Sequence, residues 1–73
     1  MTAQVKPGIY RHYKGKQYEV LGVAIHTETE EEHVVYRALY GDYTLCIRPK
    51  TMFIEEVVQE GYAGPRFQLV KAF

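Results

Sequence analysis

Two short β-type segments flank Gly41-Asp42, and this arrangement restricts the fold more than any other feature of the sequence. The residues HVVYRALY precede the glycine, and YTLCIRP follow the aspartate. Glycine tolerates the positive φ that a type II′ turn needs at its first central position. Residues 26–49 are therefore predicted to form one β-hairpin, with the acidic run at residues 28–32 at its open end.

The register of this hairpin decides which side chains reach the core, because a shift of one residue turns a strand over. A two-residue turn pairs Tyr36 with Ile47. With alternating side chains, the core face then carries Val34, Tyr36, Ala38, Tyr40, Tyr43, Leu45 and Ile47. The same register places Arg37 and Arg48 close together on the opposite face.

A three-residue turn gives the other register and moves the second strand onto the opposite face. The polar residues that would then lie beside Tyr36 and Tyr40 are Thr44, Cys46 and Arg48. We predict the two-residue register, because it separates apolar from polar side chains more completely.

The rest of the chain also shows short alternating segments separated by turn residues. Further strands are predicted at residues 8–13, 17–25, 54–58 and 66–71, with one helical turn at 49–53 and a loop at 60–65. Gly15 is predicted to take a left-handed conformation in a turn, and Gly22 to mark a bend or bulge.

This pattern indicates an all-β fold, specifically a small SH3-like barrel of five or six short antiparallel strands with one short helical turn. An oligonucleotide-binding barrel is the second choice. We predict a flexible amino-terminal tail over residues 1–7 and a single domain over residues 8–73. A domain of 73 residues has a thin stability margin.

Composition restricts the expected cellular location and the expected kinds of binding partner. Nine basic and nine acidic residues balance, which disfavours a dedicated nucleic-acid binder without excluding RNA. The single cysteine, Cys46, has no partner for an internal disulfide and favours a reducing cytoplasm. No export signal or membrane-spanning run is present in the sequence. We expect no cofactor, no membrane partner, and a monomer or weak homodimer.

Several sequence blocks resemble a known bacterial family. They are GIYRHYKGKQYEVLGVAIHTETEEEHVVYRALYG, then Arg48-Pro49, Met52-Phe53 and Pro65-Arg66-Phe67. Together they resemble the small uncharacterised proteins of domain-of-unknown-function family 1653, over nearly the whole chain from Gly8 to Phe67. The resemblance implies an SH3-type barrel and no established activity.

A cationic group of side chains is the first candidate site. Guanidinium groups bind carboxylate or phosphate through paired hydrogen bonds. The residues expected at such an anion site are Arg37, Arg48 and Arg66, with Tyr10 or His12 from a neighbouring strand. The alternative is structural, with the arginines paired to Glu28, Glu31 or Glu55 and stabilising the barrel.

A second candidate centres on His26 and Glu28, which alternation places on one side of a strand. A carboxylate can orient an imidazole and raise its basicity, so a small enzyme with His26 as general base is the alternative function. No nucleophile or cofactor motif accompanies this pair, and His12, His26 and His33 lack a recognised metal-ligand spacing. We predict no catalytic residue and no metal ligand.

The predicted function is therefore a non-catalytic binding module that recognises an anionic ligand, a peptide or RNA through a Tyr/Arg/His face. The expected ligand-binding residues are Tyr10, His12, His26, Glu28, Arg37, Arg48 and Arg66.

Overall fold

The computed structural model describes residues 5–73 as seven antiparallel strands and one short helix. Their bounds are β1 (Gly8–His12), β2 (Gln17–Ile25), β3 (Glu32–Ala38), β4 (Leu45–Pro49), α1 (Lys50–Phe53), β5 (Glu56–Gln59), β6 (Tyr62–Pro65) and β7 (Phe67–Ala72). The predicted all-β class and the predicted helical turn are confirmed. No helix in this part of the chain has the length and apolar character needed to cross a membrane.

The strands form two sheets. One has five strands in the order β4-β3-β2-β1-β7, and the other is a ribbon of β5 and β6. The predicted count of five or six strands is wrong. Residues 62–65 were predicted as loop because of their glycine and proline, yet they form β6 and pair antiparallel with β5 from Gln59↔Tyr62 to Glu56↔Pro65.

The core lies on one face of the five-stranded sheet. Its buried residues are Tyr10, Val20, Val34, Tyr36, Phe53 and Phe67. Phe53 arrives from α1 and stacks on Phe67, with ring centroids 4.2 Å apart and planes within 6° of each other. The short helix therefore covers the sheet with an aromatic ring.

The five-stranded sheet is strongly curled. Arg48 on edge strand β4 and Phe67 on edge strand β7 come together, with the guanidinium carbon 5.6 Å from the ring centroid. No hydrogen-bonded pairing of β4 with β7 occurs in the described residues, so the sheet curls without closing. We call the inner side, with Val34 and Tyr36, the concave face and the outer side the convex face.

Bulges contribute to this curl. The β2–β3 register shifts between Val20 and Gly22, as the glycine predicted, and the β1–β7 register shifts between Ile9 and Tyr10. Extra residues of this kind bend a strand and increase its twist. After its bulge β2 is largely solvent-exposed.

The predicted β3–β4 register, with Tyr36 opposite Ile47, is wrong. Tyr36 pairs with Cys46 and Val34 with Arg48, one residue away from the predicted register. Gly41 has the predicted positive φ of 59°, and the Tyr43 N–H donates to the Tyr40 carbonyl at 3.1 Å. The turn itself was therefore correctly placed.

The one-residue shift arises just beyond the turn. The Ala38 N–H donates to the Thr44 carbonyl, while the Leu39 N–H leaves the hairpin and donates to Gln17 on β2. Leu39 is therefore an extra residue on the β3 side, and Tyr43 adopts a left-handed φ of 55°. The slip turns β4 over.

Leu45 and Ile47, predicted as core, are consequently 53% and 63% exposed on the convex face. Tyr40 and Tyr43, also predicted as core, are exposed at the turn.

Residues 5–7 contact the domain. Val5 packs against the core, the Lys6 carbonyl accepts a hydrogen bond from the Tyr10 hydroxyl, and the Pro7 carbonyl accepts one from the Phe73 N–H. The remainder of the predicted tail, residues 1–4, lies outside the described residues.

Candidate functional site

Polar and aromatic side chains converge on the concave face at one end of the core. Five strands and the residue before β7 contribute the side chains that we call the arginine–aromatic cluster, namely His12, Tyr18, Tyr36, Arg48, Arg66 and Phe67. Phe67 is its centre, with ring centroids 5.0 to 5.6 Å from those of His12, Tyr18 and Tyr36. The curl of the sheet makes this possible, because β4 and β7 are opposite edges.

Arg48 reaches this cluster because the observed register turns it inward beside Val34. Its Nε donates to the Tyr36 hydroxyl at 3.3 Å, and its guanidinium lies over the Phe67 ring. It forms no salt bridge with any acidic side chain of residues 5–73. Arg48 is thus a half-buried cation whose polar contact is a neutral hydroxyl.

Arg66 is held differently. Its Nη2 donates to Glu55 at 2.9 Å, and its backbone N–H donates to the Glu55 carbonyl. The structural alternative considered for the arginines therefore holds for Arg66. Its Nε is nevertheless buried and has no acceptor among the described residues.

His12 and Arg48 both lie against the ring of Phe67. Burial lowers the pKa of the His12 imidazole, and the positive charges of Arg48, Arg66 and Lys14 lower it further. Its Nδ1 accepts a hydrogen bond from the Lys14 N–H at 3.2 Å. The neutral imidazole is therefore the favoured form, and the positive charge of the cluster resides on the arginines.

Tyr18 and Tyr40 extend the cluster toward the β3–β4 turn. Their hydroxyl oxygens are 2.9 Å apart. Burial raises the pKa of Tyr18 well above its ordinary value, and the hydrogen bond to Tyr40 adds to this effect. The Tyr18 hydroxyl therefore remains a neutral hydrogen-bonding group at physiological pH.

A cleft adjoins the cluster at the end of β1, where His12 leads into the turn to β2. Its cavity volume is about 390 Å³, and its lining residues are Arg11, His12, Tyr13, Lys14, Gly15, Tyr62 and Gln68. We call this the β1–β2 cleft. It has basic and aromatic walls and no acidic side chain.

The structure brings three of the predicted site residues together, namely His12, Arg48 and Arg66. Tyr10 is in the core instead, where burial raises the pKa of its hydroxyl, which donates to the Lys6 carbonyl at 2.8 Å. Arg37 is on the convex face, and its Nη1 donates to the Tyr43 carbonyl at 3.2 Å. The prediction that Arg37 and Arg48 lie side by side is wrong, because the register differs by one residue.

His26 and Glu28 lie in the turn between β2 and β3. The His26 Nδ1 accepts hydrogen bonds from the backbone N–H groups of Glu28 and Thr29, which is a turn-stabilising arrangement. No His26–Glu28 salt bridge forms in the described part of the chain, whereas His33 approaches Glu31 at 3.5 Å. The geometry thus lends no support to a catalytic His26–Glu28 pair.

The neighbouring histidines and carboxylates do not assemble further. Within residues 5–73, no three His, Cys, Asp or Glu side chains converge in a way that could hold a metal ion. Cys46 is half-buried against the core and its thiol donates to the Thr44 carbonyl.

Sequence reasoning missed the aromatic half of the site. Tyr18 and Phe67 were assigned to strands with no functional role, and Tyr62 to a loop. The available signal was the high tyrosine content, seven in 73 residues without tryptophan. It does not indicate which tyrosines converge, since they come from separate strands.

Family membership is decided by comparison with known proteins. The model of a family described as "Protein of unknown function (DUF1653)" matches residues 8–69. The chain belongs to the DUF1653 family. The crystal structure of a DUF1653 protein from Bordetella bronchiseptica is similar, with 38% identity, a TM-score of 0.86, and coverage of 94% of this chain and 91% of that chain. No curated protein matches. The resemblance noted from the sequence blocks is thus confirmed, and the family brings no activity with it.

Proposed function

We propose that this DUF1653 protein is a non-catalytic binding module that recognises an anionic group, a carboxylate or a phosphate, at the arginine–aromatic cluster. The observation that carries the proposal is the convergence of Arg48 and Arg66 on the neutral imidazole of His12, with one carboxylate, that of Glu55, bound to Arg66.

The state of Arg48 supports an anionic ligand. Removing a guanidinium from water is costly unless an opposite charge or several acceptors compensate it. Here the described residues supply one neutral acceptor and the face of an aromatic ring. A bound anion would restore the lost electrostatic stabilisation, and charge-assisted hydrogen bonds to guanidinium are stronger than neutral ones.

Arg66 supports the same assignment. Glu55 holds one edge of its guanidinium, so the side chain is positioned before any ligand arrives. The buried Nε still offers a donor that no described protein group accepts. A pre-positioned donor of this kind favours binding, because little conformational entropy remains to be lost.

The rings give the site its shape. Phe67, Tyr18 and Tyr36 meet edge to face and surround the cationic groups with apolar surface. Such surroundings strengthen an ion pair relative to one in water. The group recognised is therefore small and charged.

The proposal also includes an SH3-like topology and a cytoplasmic location. Support for an SH3-like topology comes from the curled sheet of short antiparallel strands and the helical turn between β4 and β5. A single free cysteine supports a reducing, cytoplasmic setting.

The test is an NMR titration with inorganic phosphate and, separately, acetate, at low ionic strength. Arg48→Gln is the test variant. Arg37→Gln is its matched control, since it removes the same charge from the neighbouring strand on the other face. We expect the Nε–Hε signals of Arg48 and Arg66 to move in the wild type and in Arg37→Gln, and the response to fall about tenfold or more in Arg48→Gln.

A bound anion should also raise the pKa of His12, because it opposes the effect of the arginines. The proposal is overturned if neither anion moves these signals, or if the two arginine variants respond alike while both remain folded.

A further inference from the structure

We infer that the β1–β2 cleft is a second binding site, for a nucleoside monophosphate. Its phosphate would lie at Arg11 and Lys14, and its base against the tyrosine wall. This goes beyond the anion recognition proposed for the arginine–aromatic cluster, with which the cleft shares only His12.

The size of the cleft suits a small molecule. Sites for cofactors and small ligands enclose about 300 to 1,000 Å³, and this cleft encloses about 390 Å³. That volume is sufficient for one nucleotide and too small for a folded partner. The ligand class is therefore decided by the lining residues.

The charge of the lining selects an anion. Arg11 and Lys14 both line the cleft, and neither forms a salt bridge with a described acidic residue. Arg11 can form paired hydrogen bonds to phosphate oxygens, and Lys14 adds a mobile ammonium. The long acidic run at residues 28–32 is in the β2–β3 turn, at the far end of the nine-residue β2.

The aromatic lining residues favour a ligand with a flat ring. Tyr13 and Tyr62 stack with ring centroids 5.3 Å apart, and the His12 ring lies 4.6 Å from that of Tyr13 with the two planes tilted by 32°. The Tyr62 hydroxyl donates to the Pro65 carbonyl at 2.6 Å, which fixes the outermost ring. Nucleobases stack on tyrosine regardless of their identity, because every base has a π-face. Gln68 offers an amide donor and acceptor for the edge of a base.

The rim of the cleft is pre-formed. The Gly15 N–H donates to the His12 carbonyl at 2.7 Å, and the His12 N–H donates to the Lys16 carbonyl at 2.8 Å. Gly15 adopts a φ of 106°, which other residues rarely take. Because these backbone groups are already used, the side chains of Arg11 and Lys14 must supply the contacts to phosphate.

The experiment is an NMR titration of the whole chain with AMP, adenosine and inorganic phosphate as separate probes. Two double variants are compared. Arg11→Gln with Lys14→Gln removes the charges of the cleft, and Arg37→Gln with Lys71→Gln removes equal charge elsewhere. We expect AMP to shift the amides of residues 11–15, 62 and 68, and to bind about tenfold or more weakly to the cleft variant only.

Two substitutions of Tyr62 separate stacking from hydrogen bonding. Tyr62→Phe keeps the ring and loses the bond to Pro65, whereas Tyr62→Leu loses both. We expect AMP affinity to be retained in the first and reduced about fivefold or more in the second, since stacking supplies the base contact. Equal losses in the two variants would overturn the assignment of the base.

A free nucleotide and the nucleotide of a single strand present the same chemistry. A four-nucleotide adenine strand as a further probe distinguishes these sources. AMP binding as tightly as the strand indicates a free nucleotide, and a strand that binds about tenfold more tightly indicates single-stranded RNA or DNA, whose further phosphates add charge contacts. Either result keeps the cleft as a nucleotide site.

The inference is overturned if AMP shifts no cleft amide, if phosphate alone binds as tightly as AMP, or if the two double variants weaken binding equally. If anions still shift the signals of Arg48 while AMP fails at the cleft, this inference falls and the proposed function stands.

Discussion

Arg37 and Arg48 lie on neighbouring strands of one hairpin, yet they occupy opposite environments. Arg37 is on the convex face, where its guanidinium donates to the Tyr43 carbonyl. Arg48 is on the concave face, against the ring of Phe67 and the hydroxyl of Tyr36. The same type of side chain thus contacts a turn carbonyl on one face and forms part of a candidate binding site on the other.

The two faces differ in packing as well. On the concave face, Val20 and Val34 are fully buried, and six aromatic and aliphatic side chains form one core. On the convex face, Leu45 and Ile47 are mostly exposed and no second layer covers them in the described residues. The comparison shows that the apolar content of a strand does not by itself identify the face that the core uses.

The largest difference between the faces should appear in stability. Phe53→Ala removes a 2% exposed ring that stacks on Phe67 and should lower the free energy of unfolding by about 3 to 5 kcal/mol. Ile47→Ala on the convex face should cost about 0.5 kcal/mol or less. Urea denaturation measures both. Similar losses of unfolding free energy in the two variants would contradict a core on one face only. If Phe53→Ala does not fold, Phe53→Leu takes its place.

A smaller effect should follow from the hydroxyl of Tyr36. Tyr36→Phe keeps the buried ring but leaves the Arg48 Nε without its acceptor, which should cost about 1 to 2 kcal/mol. The control is Tyr43→Phe, an exposed tyrosine at the turn, with an expected change within about 0.5 kcal/mol. Thermal unfolding compares them. An unchanged free energy of unfolding in Tyr36→Phe would show that the hydrogen bond from Arg48 to Tyr36 does not stabilise the fold.

The third effect is on proton binding. The pKa of His12 is lowered by burial and by the positive charges of Arg48, Arg66 and Lys14. The His12 imidazole therefore binds a proton more readily in the unfolded chain than in the folded one. The free energy of unfolding should therefore fall as pH decreases from the ordinary histidine pKa, about 6.5, to the lowered value, and this contribution should level off below it.

Arg48→Gln should raise the pKa of His12 and narrow that interval, whereas Arg37→Gln should leave it unchanged. The ring-proton NMR signal of His12 measures the midpoint directly. An equal response to the two variants would show that the faces are not electrostatically distinct at His12.

The smallest expected effect concerns the pair of tyrosine hydroxyls at the edge of the cluster. Tyr40→Phe removes one cause of the raised pKa of Tyr18, so Tyr18 should ionise at lower pH in the variant. Stability should change by about 1 kcal/mol or less, because the bond is exposed. Ultraviolet pH titration follows the ionisation. An unchanged pKa of Tyr18 would show that Tyr40 does not contribute to the shift.

Much of the fold could be read from local chemistry. Gly41 and Gly15 adopt the positive φ values predicted for them, and Gly22 marks a bulge. The helical turn at Phe53 was also found. These features depend on a few adjacent residues, because glycine is the residue that most readily adopts a positive φ. Strand β6 was missed because Gly64 and Pro65 are typical of loops, whereas pairing with β5 makes residues 62–65 a strand.

The candidate site could be predicted only in part. His12, Arg48 and Arg66 were selected by residue type, and they do converge. Tyr10 and Arg37 were selected by the same reasoning and lie elsewhere, one in the core and one on the convex face. Tyr18 and Phe67 carried no local signal, because their importance arises from contacts between distant strands.

By itself the sequence determined the all-β class, the positions of the turns and the family. These conclusions rest on side-chain alternation, on glycine positions and on the sequence blocks. Such signals are local and do not depend on the register in which the strands pair. Only the tertiary structure decided which arginine enters the concave face. That choice depends on where the Leu39 N–H donates, to β4 or to β2, and a single hydrogen bond between distant residues leaves no trace in the local pattern.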